Sequence, residues 1–198
     1  MKNYLVVSIA ALLLTFPALC RASTWNIDAD HSNVGFKVRH LMVSNVKGVF
    51  GKVAGVVDVD DQDVTRSTAR VTIDAGSVDT GVAKRDADLR SDHFLDVAKF
   101  PAMTFVSKSV AKSGEGRLRI TGDLTLHGVT RTVVLDVEGP SQVVKDPMGN
   151  LRRGASAETR INRKDYGLTW NKALETGGVL VGDQVGIGIE VEMVKSAQ

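Results

Sequence analysis

Along most of the chain apolar and polar residues alternate one for one, the period of a strand with one buried face. In "NVGFKVRH", Val34, Phe36, Val38 and His40 share a face, while Lys37 and Arg39 share the other. "VFGKVAGVVDV" aligns Val49, Val53, Val57 and Val59, with Gly51 and Gly55 interposed where a strand must bend or pass close to another. Val71 pairs in phase with Ile73, and Met103 with Phe105. "RLRITGDLTLHG" aligns Leu118, Ile120, Gly122, Leu124 and Leu126 ahead of a turn at His127-Gly128. Val133, Leu135 and Val137 follow, then Ala155, Ala157, Thr159 and Ile161. The last stretch is the cleanest, with Val185, Ile187, Ile189, Val191 and Met193 opposite Glu190 and Glu192.

This pattern predicts an all-β chain of about eight strands, each with one wet face, and such a sheet must close or pack on a second one. Long strands joined by short turns favour a closed antiparallel barrel, whose interior at this strand number holds side chains or one ligand. Many inward positions are small or slender, among them Gly51, Gly55, Gly122, Ala155 and Ala157. The interior is therefore expected to be underfilled by its own side chains.

Two stretches break the alternation, Val82 to Pro101 and Asn162 to Gly178, and both are too long for hairpin turns. In a barrel such insertions lie across an open end. The first carries Arg85, Asp86, Asp88, Arg90, Asp92 and His93, enough acid and base for general catalysis. Yet Asp86 and Arg90 stand at i, i+4, the spacing of an ion pair on a solvated helix face. Leu89, Phe94 and Leu95 give that helix an apolar edge, and Pro101 returns the chain to extended structure. The stretch predicts a short amphipathic helix acting as a plug.

The first 22 residues of the 198 need separate treatment. Lys2, an apolar run from Tyr4 to Leu19, and small residues ending at Ala22 make a secretory leader, with the domain running over 23–198. The run is short for a membrane span, which takes roughly 20 apolar residues. Leu19 before Cys20 disfavours lipidation, which needs a small residue there. Removal of the leader takes Lys2 and Arg21 from 25 basic residues, leaving 23 against 23 acidic ones, and takes the single cysteine. A neutral, cysteine-free exported chain fits a bacterial periplasm and offers no footprint for nucleic acid. Eight of the ten aromatics remain after Tyr4 and Phe16 are lost.

Catalytic signatures are missing. There is no G-x-S-x-G, H-E-x-x-H or phosphate loop, and "GIGIEV" lacks a third glycine. "DVDDQD" fails as a calcium loop, because Asp63 and Ala69 stand where Gly and Glu are needed. It is expected to be a solvated acidic turn. His31, His40, His93 and His127 are not at zinc-ligand spacing. His31 and His127 read as turn residues. His40 ends an apolar face, where it serves either a ligand head group or the core itself.

The landmarks, in order, are "WNIDADHSNVGFKVRH" from Trp25, "GVFG" from Gly48, "SVDT" from Ser77 and "RDADLRSDHFLD" from Arg85. They continue with "FPAMTF" from Phe100, "GDLTLHGVT" from Gly122, "RKDYG" from Arg163 and "VGDQV" from Val181. Together they resemble the YceI-like proteins, often called polyisoprenoid-binding, over essentially the whole exported chain. Tyr166 departs from a pattern that often has Phe. The resemblance implies a lipocalin-like antiparallel barrel holding a long amphiphile such as a polyprenyl chain, a quinone derivative of it or a fatty-acid amide. It implies periplasmic export and homodimers, and no established catalytic activity.

A lipid ligand, with no other cofactor, is thus expected inside the barrel. The strand positions proposed to line it are Phe36, Val38, Phe50, Val71, Phe105, Leu124 and Ile189, with Leu89, Phe94 and Trp170 from the plugs. Phe50 joins them only if a bulge near Gly48 or Gly51 shifts the phase. His40 and Arg163, with Tyr166 beside them, are the candidates for the polar head, and Arg163 has the alternative of pairing with Asp165 or a strand carboxylate. Three functions are open: a carrier, with delivery to a membrane quinone-using electron-transfer partner as a subtype; an enzyme acting on a prenyl pyrophosphate through Arg85–His93; and a stress-induced interaction protein with lipid as filler.

Overall fold

The alternation becomes strand wherever β-branched and aromatic residues supply its apolar face. The computed structural model describes residues 22–175 and 177–196. The predicted leader lies outside them apart from Ala22. The strands are β1 (Ala22–Ile27), β2 (Asn33–His40), β3 (Ser44–Phe50), β4 (Val53–Asp60), β5 (Thr68–Asp74) and β6 (Val78–Asp79). After the helix α1 (Ala83–Arg90) come β7 (Ala102–Gly114), β8 (Arg117–Leu126), β9 (Val129–Glu138), β10 (Val144–Lys145), β11 (Leu151–Asn162) and β12 (Val181–Lys195). No helix among the described residues is long and apolar enough to cross a membrane.

These twelve named strands make an eight-stranded closed antiparallel barrel. β1 and β2 are halves of one long strand broken at Ala29–His31, and β5 and β6 halves of another broken at Ala75–Ser77. β3 and β4 are separated only by Gly51-Lys52. β10 is a short extension paired with β11. Each barrel strand pairs with its sequence neighbours, and β12 closes the ring on β1 and β2. The break at Gly51-Lys52 answers the question of phase. Phe50 is inward and buried, Val49 is outward and exposed, and the inward row resumes at Val53. Val49 therefore does not share a face with Val53, Val57 and Val59.

The two irregular insertions meet at one end of the barrel, here the lid end, where the hairpin turns at 41–43 and 127–128 also lie. The turns at 61–67 and 115–116 and the 139–150 connection lie at the far end. The ladder between β9 and β11 is only three pairs long, from Ser156↔Glu138 to Glu158↔Asp136. Toward the lid end the short helical turn Arg163–Tyr166 packs against β9, β11 and β12 beside this gap. The buried core runs in clusters along the axis, from Val34, Phe50, Tyr166 and Leu168 at the lid end to Trp25, Val59 and Met193 at the far end.

Candidate ligand-binding cavity

Inward rows of β-branched and small residues leave a bore along the barrel. Its volume is about 290 Å³, and its wall runs from Leu89, Phe94 and Leu168 at the lid end to Val59, Leu118 and Pro140 at the far end. β12 contributes Val185, Ile187, Ile189, Val191 and Met193, the face its alternation predicts. Part of the space that small residues leave is taken by aromatic rings. The Phe105 ring lies over Gly122, where an added Cβ would stand 2.4 Å from its Cζ atom. Phe36 covers Gly48 in the same way and packs on Phe50 at 5.7 Å between ring centroids.

Phe36, Val38, Phe50, Val71, Phe105, Leu124 and Ile189 line the bore, as do Leu89 and Phe94 from the lid and Arg163. His40, Tyr166 and Trp170 do not. His40 ends β2 against Ser44 and Val181, past the last lining residue of that strand, Val38. Trp170 lies outside Phe94, with ring centroids 5.2 Å apart, and stacks on His93 at 5.7 Å. It thus fastens the two insertions together instead of touching the cavity. Tyr166 is 2% exposed and sits by the β8–β9 turn, its carbonyl 3.2 Å from His127 Nδ1. Its hydroxyl has no hydrogen-bond partner among the described residues, and burial pushes its pKa up.

Arg163 is 3% exposed and its guanidinium is committed to the protein. Nε donates to Gly182 O at 3.0 Å, Nη1 to Leu168 O and to Trp170 O at 2.9 Å, and Nη2 faces Val181 O and Asp183 Oδ1. A guanidinium has five N–H groups, and each of these is directed at a protein acceptor. The strand carboxylate alternative therefore describes this residue, with Asp183 as the carboxylate and Asp165 not involved. Burial lowers its pKa, with Asp183 opposing. Arg163 is thus a pin that joins Leu168 and Trp170 to the start of β12, with its N–H groups directed at the protein and not at a ligand head group.

The charged cluster of α1 is likewise occupied. Asp86 is buried and accepts from the Thr80 backbone N–H at 2.9 Å and from Thr80 Oγ at 2.5 Å. Arg85 donates through Nε to Thr80 Oγ and through Nη2 to Thr80 O. Arg90 reaches back to the carbonyls of Gly76 and Val78. The expected Asp86–Arg90 pair is not made, because each side chain has a backbone partner that needs it more. Asp88 meets His93 Nδ1 at 2.9 Å on the surface. None of these charged residues lines the bore, while their apolar neighbours Leu89, Phe94 and Leu95 do.

The acidic turn is also more structural than expected. Asp60 is 4% exposed, pairs with Arg66 at 2.9 Å and accepts from the backbone of Gln62 and Asp63. Elsewhere Asp28, His31 and Glu192 lie close enough to share an ion. A cation is already there: Arg152 Nη1 is 2.5 Å from Asp28 and 2.6 Å from Glu192, while its Nε reaches Asp146 at 2.7 Å.

Comparison with known proteins agrees with this architecture. The YceI-like domain model matches residues 25–193. Protein YceI of Salmonella newport is 42% identical over 170 residues, covering 85% of this chain and 87% of its own. The crystal structure of the Campylobacter jejuni YceI protein superposes with a TM-score of 0.68 at 34% identity, covering 81% of this chain and 91% of that one. A polyisoprenoid binding domain from Saccharophagus degradans shares the fold at a TM-score of 0.62 and 17% identity, covering 89% of this chain and 100% of that one. The chain is a member of the YceI-like family.

Proposed function

We propose that this protein is a periplasmic carrier for a long-chain amphiphile, a polyisoprenoid, an isoprenoid quinone or a fatty-acid-like lipid, held in the barrel. The observation that carries the reading is the bore itself, apolar from the lid to the far end and lined by residues of eleven strands and both insertions. The description of the Saccharophagus degradans domain as polyisoprenoid-binding supports the same class of ligand. Burying an apolar chain is worth roughly 0.8 kcal/mol per CH₂, so a lipid of tens of carbons does not leave a bilayer for water at a useful rate. The bore replaces the bilayer as solvent. If the cargo is a quinone, the receiver is a membrane quinone-using electron-transfer partner. The commitment of Arg85, Asp86, Asp88 and Arg90 to local contacts argues for binding over catalysis.

The test is transfer of a radiolabelled prenyl alcohol between donor and acceptor vesicles separated by buffer. A carrier raises the transfer rate in proportion to its concentration. A protein whose lipid never exchanges is a filled structural module, and that result would contradict the proposal.

A further inference from the structure

A second cavity lies at the far end, of about 350 Å³, lined by Asp60, Asp61, Gln62, Lys112, Arg117 and Arg153 among others. Val59, Val64, Leu118 and Pro140 line both it and the apolar bore, so no more than one layer of side chains divides them. The polarity changes along single strands. On β11 the inward row Ile161, Thr159, Ala157, Ala155 ends on Arg153, which is in phase with them. On β7 the inward Val110 is followed two residues on by Lys112.

Arg153 holds a buried donor that the described residues do not pair. Its guanidinium lies 5.0 Å above the Trp25 ring, and Nε and Nη2 both face Ser141 O, at 3.4 and 3.2 Å. Nη1 is buried without a hydrogen bond to any described residue, and Asp61 Oδ1 is 3.7 Å away. Burial lowers its pKa, with Asp61 opposing. A buried cationic donor left unpaired is costly, and an anionic oxygen is the partner that relieves it best. The other charges leave room for one. Asp60 is paired with Arg66, Asp61 accepts from Ser23 Oγ at 3.0 Å, and the side chains of Lys112, which feels Asp63 at longer range, and Arg117 make no hydrogen bond or close ion pair with described residues.

We infer that the far-end cavity is the head-group site of the bound amphiphile and takes an anionic oxygen head, a phosphate or carboxylate, with Arg153 Nη1 as its central donor. This rests on the carrier reading and deepens it. The tail then points at Leu89, Phe94 and Leu168, and a lipid enters tail first from the far end. No charged head has to cross the apolar bore, a transfer that burial of an unpaired charge makes prohibitive.

The experiment compares geranylgeranyl phosphate with geranylgeraniol, which share a tail, by isothermal titration on the delipidated protein. Arg153→Met is expected to weaken the phosphate about tenfold or more and leave the alcohol unchanged. The double variant Lys112→Gln/Arg117→Gln, at exposed positions, is expected to do the same to a smaller degree and guards against misfolding of the first. Equal losses for both probes, or none, overturn the inference. Inorganic phosphate at millimolar concentration should not displace the tailed ligand; displacement would make this a free-anion site instead. A nitroxide on Glu115→Cys should broaden the ³¹P signal of bound geranylgeranyl phosphate, and one on Val43→Cys at the lid end should not. The reverse pattern overturns the placement. Failure of both probes to bind the wild type instead overturns the carrier reading itself.

Discussion

Asp86 and Thr80 are joined twice, the carboxylate accepting both the backbone N–H and the hydroxyl of the threonine. These two hydrogen bonds fasten the start of α1 to the residue that follows β6, where no side chain caps the helix. Asp86→Ala leaves two polar groups short of a partner, at about 1–3 kcal/mol. Urea denaturation should show this loss, and hydrogen exchange should quicken over 80–95. His93→Ala removes a surface pair with Asp88 and the stacking of its ring on Trp170, and is expected to cost about 1 kcal/mol.

Arg163→Lys should fail to rescue Arg163→Met. A single ammonium cannot reach the carbonyls of Leu168, Trp170 and Gly182 together, so both variants are expected to lose at least about 2 kcal/mol. Proteolysis within 167–180 should become faster in both. Rescue by lysine would show that charge alone is what matters there.

Tyr166→Phe removes a buried hydroxyl that has no partner. The variant should be as stable as the wild type or more so, and should bind lipid equally, because this ring does not line the bore. A loss of affinity in the phenylalanine variant would return Tyr166 to the ligand.

Gly122→Ala forces a methyl against the Phe105 ring and the Val106 carbonyl, 2.4 and 2.6 Å from where its carbon would stand. Overpacking of this kind costs about 1–3 kcal/mol. The displaced ring should also shorten the longest prenyl chain the protein accepts. Phe105→Ala should lengthen it, at a stability cost of about 3–5 kcal/mol. Chain-length selectivity, measured with a series of prenyl alcohols, reads both.

Acid should dissolve the Arg152 cluster. The Arg152 guanidinium, and after it His31, hold the Asp28 carboxyl down to about 2 from 3.8, and Arg152 holds Asp146 below its usual range. Both folded values lie under the unfolded one, so their stabilisation is present above about pH 4 and is lost as pH falls toward 2. His31, raised chiefly by Asp28, works in the opposite sense: its share is present below 6.5 and is lost as pH climbs through its folded value. The gap in urea midpoint between wild type and Arg152→Met should therefore narrow between pH 4 and pH 2. A gap independent of pH would contradict the ion-pair account.

The barrel was legible because inward rows such as Val185 to Met193 alternate without interruption. Phase changes were legible only where glycine marks them, as at Gly51 beside Phe50. The polar contacts of the lid were not, since spacing suggests Asp86–Arg90 while the partners, Thr80 and the carbonyls of Gly76 and Val78, come from another element. Trp170 and Tyr166 were aromatic in the right segments but packed behind the wall. The residue missed outright was Arg153. Its signal was present, since it continues the row of Ala155 and Ala157 by one more step of two, and a charge at the end of an apolar row marks where the bore turns polar.

The central claim, a lipid in the barrel, is tested most directly by native mass spectrometry of the protein produced in bacteria from the full 198-residue sequence, followed by extraction and identification of whatever is bound. The account predicts one long-chain amphiphile per barrel. Protein recovered empty, and unable to take up prenyl lipids or quinones from vesicles, would contradict it.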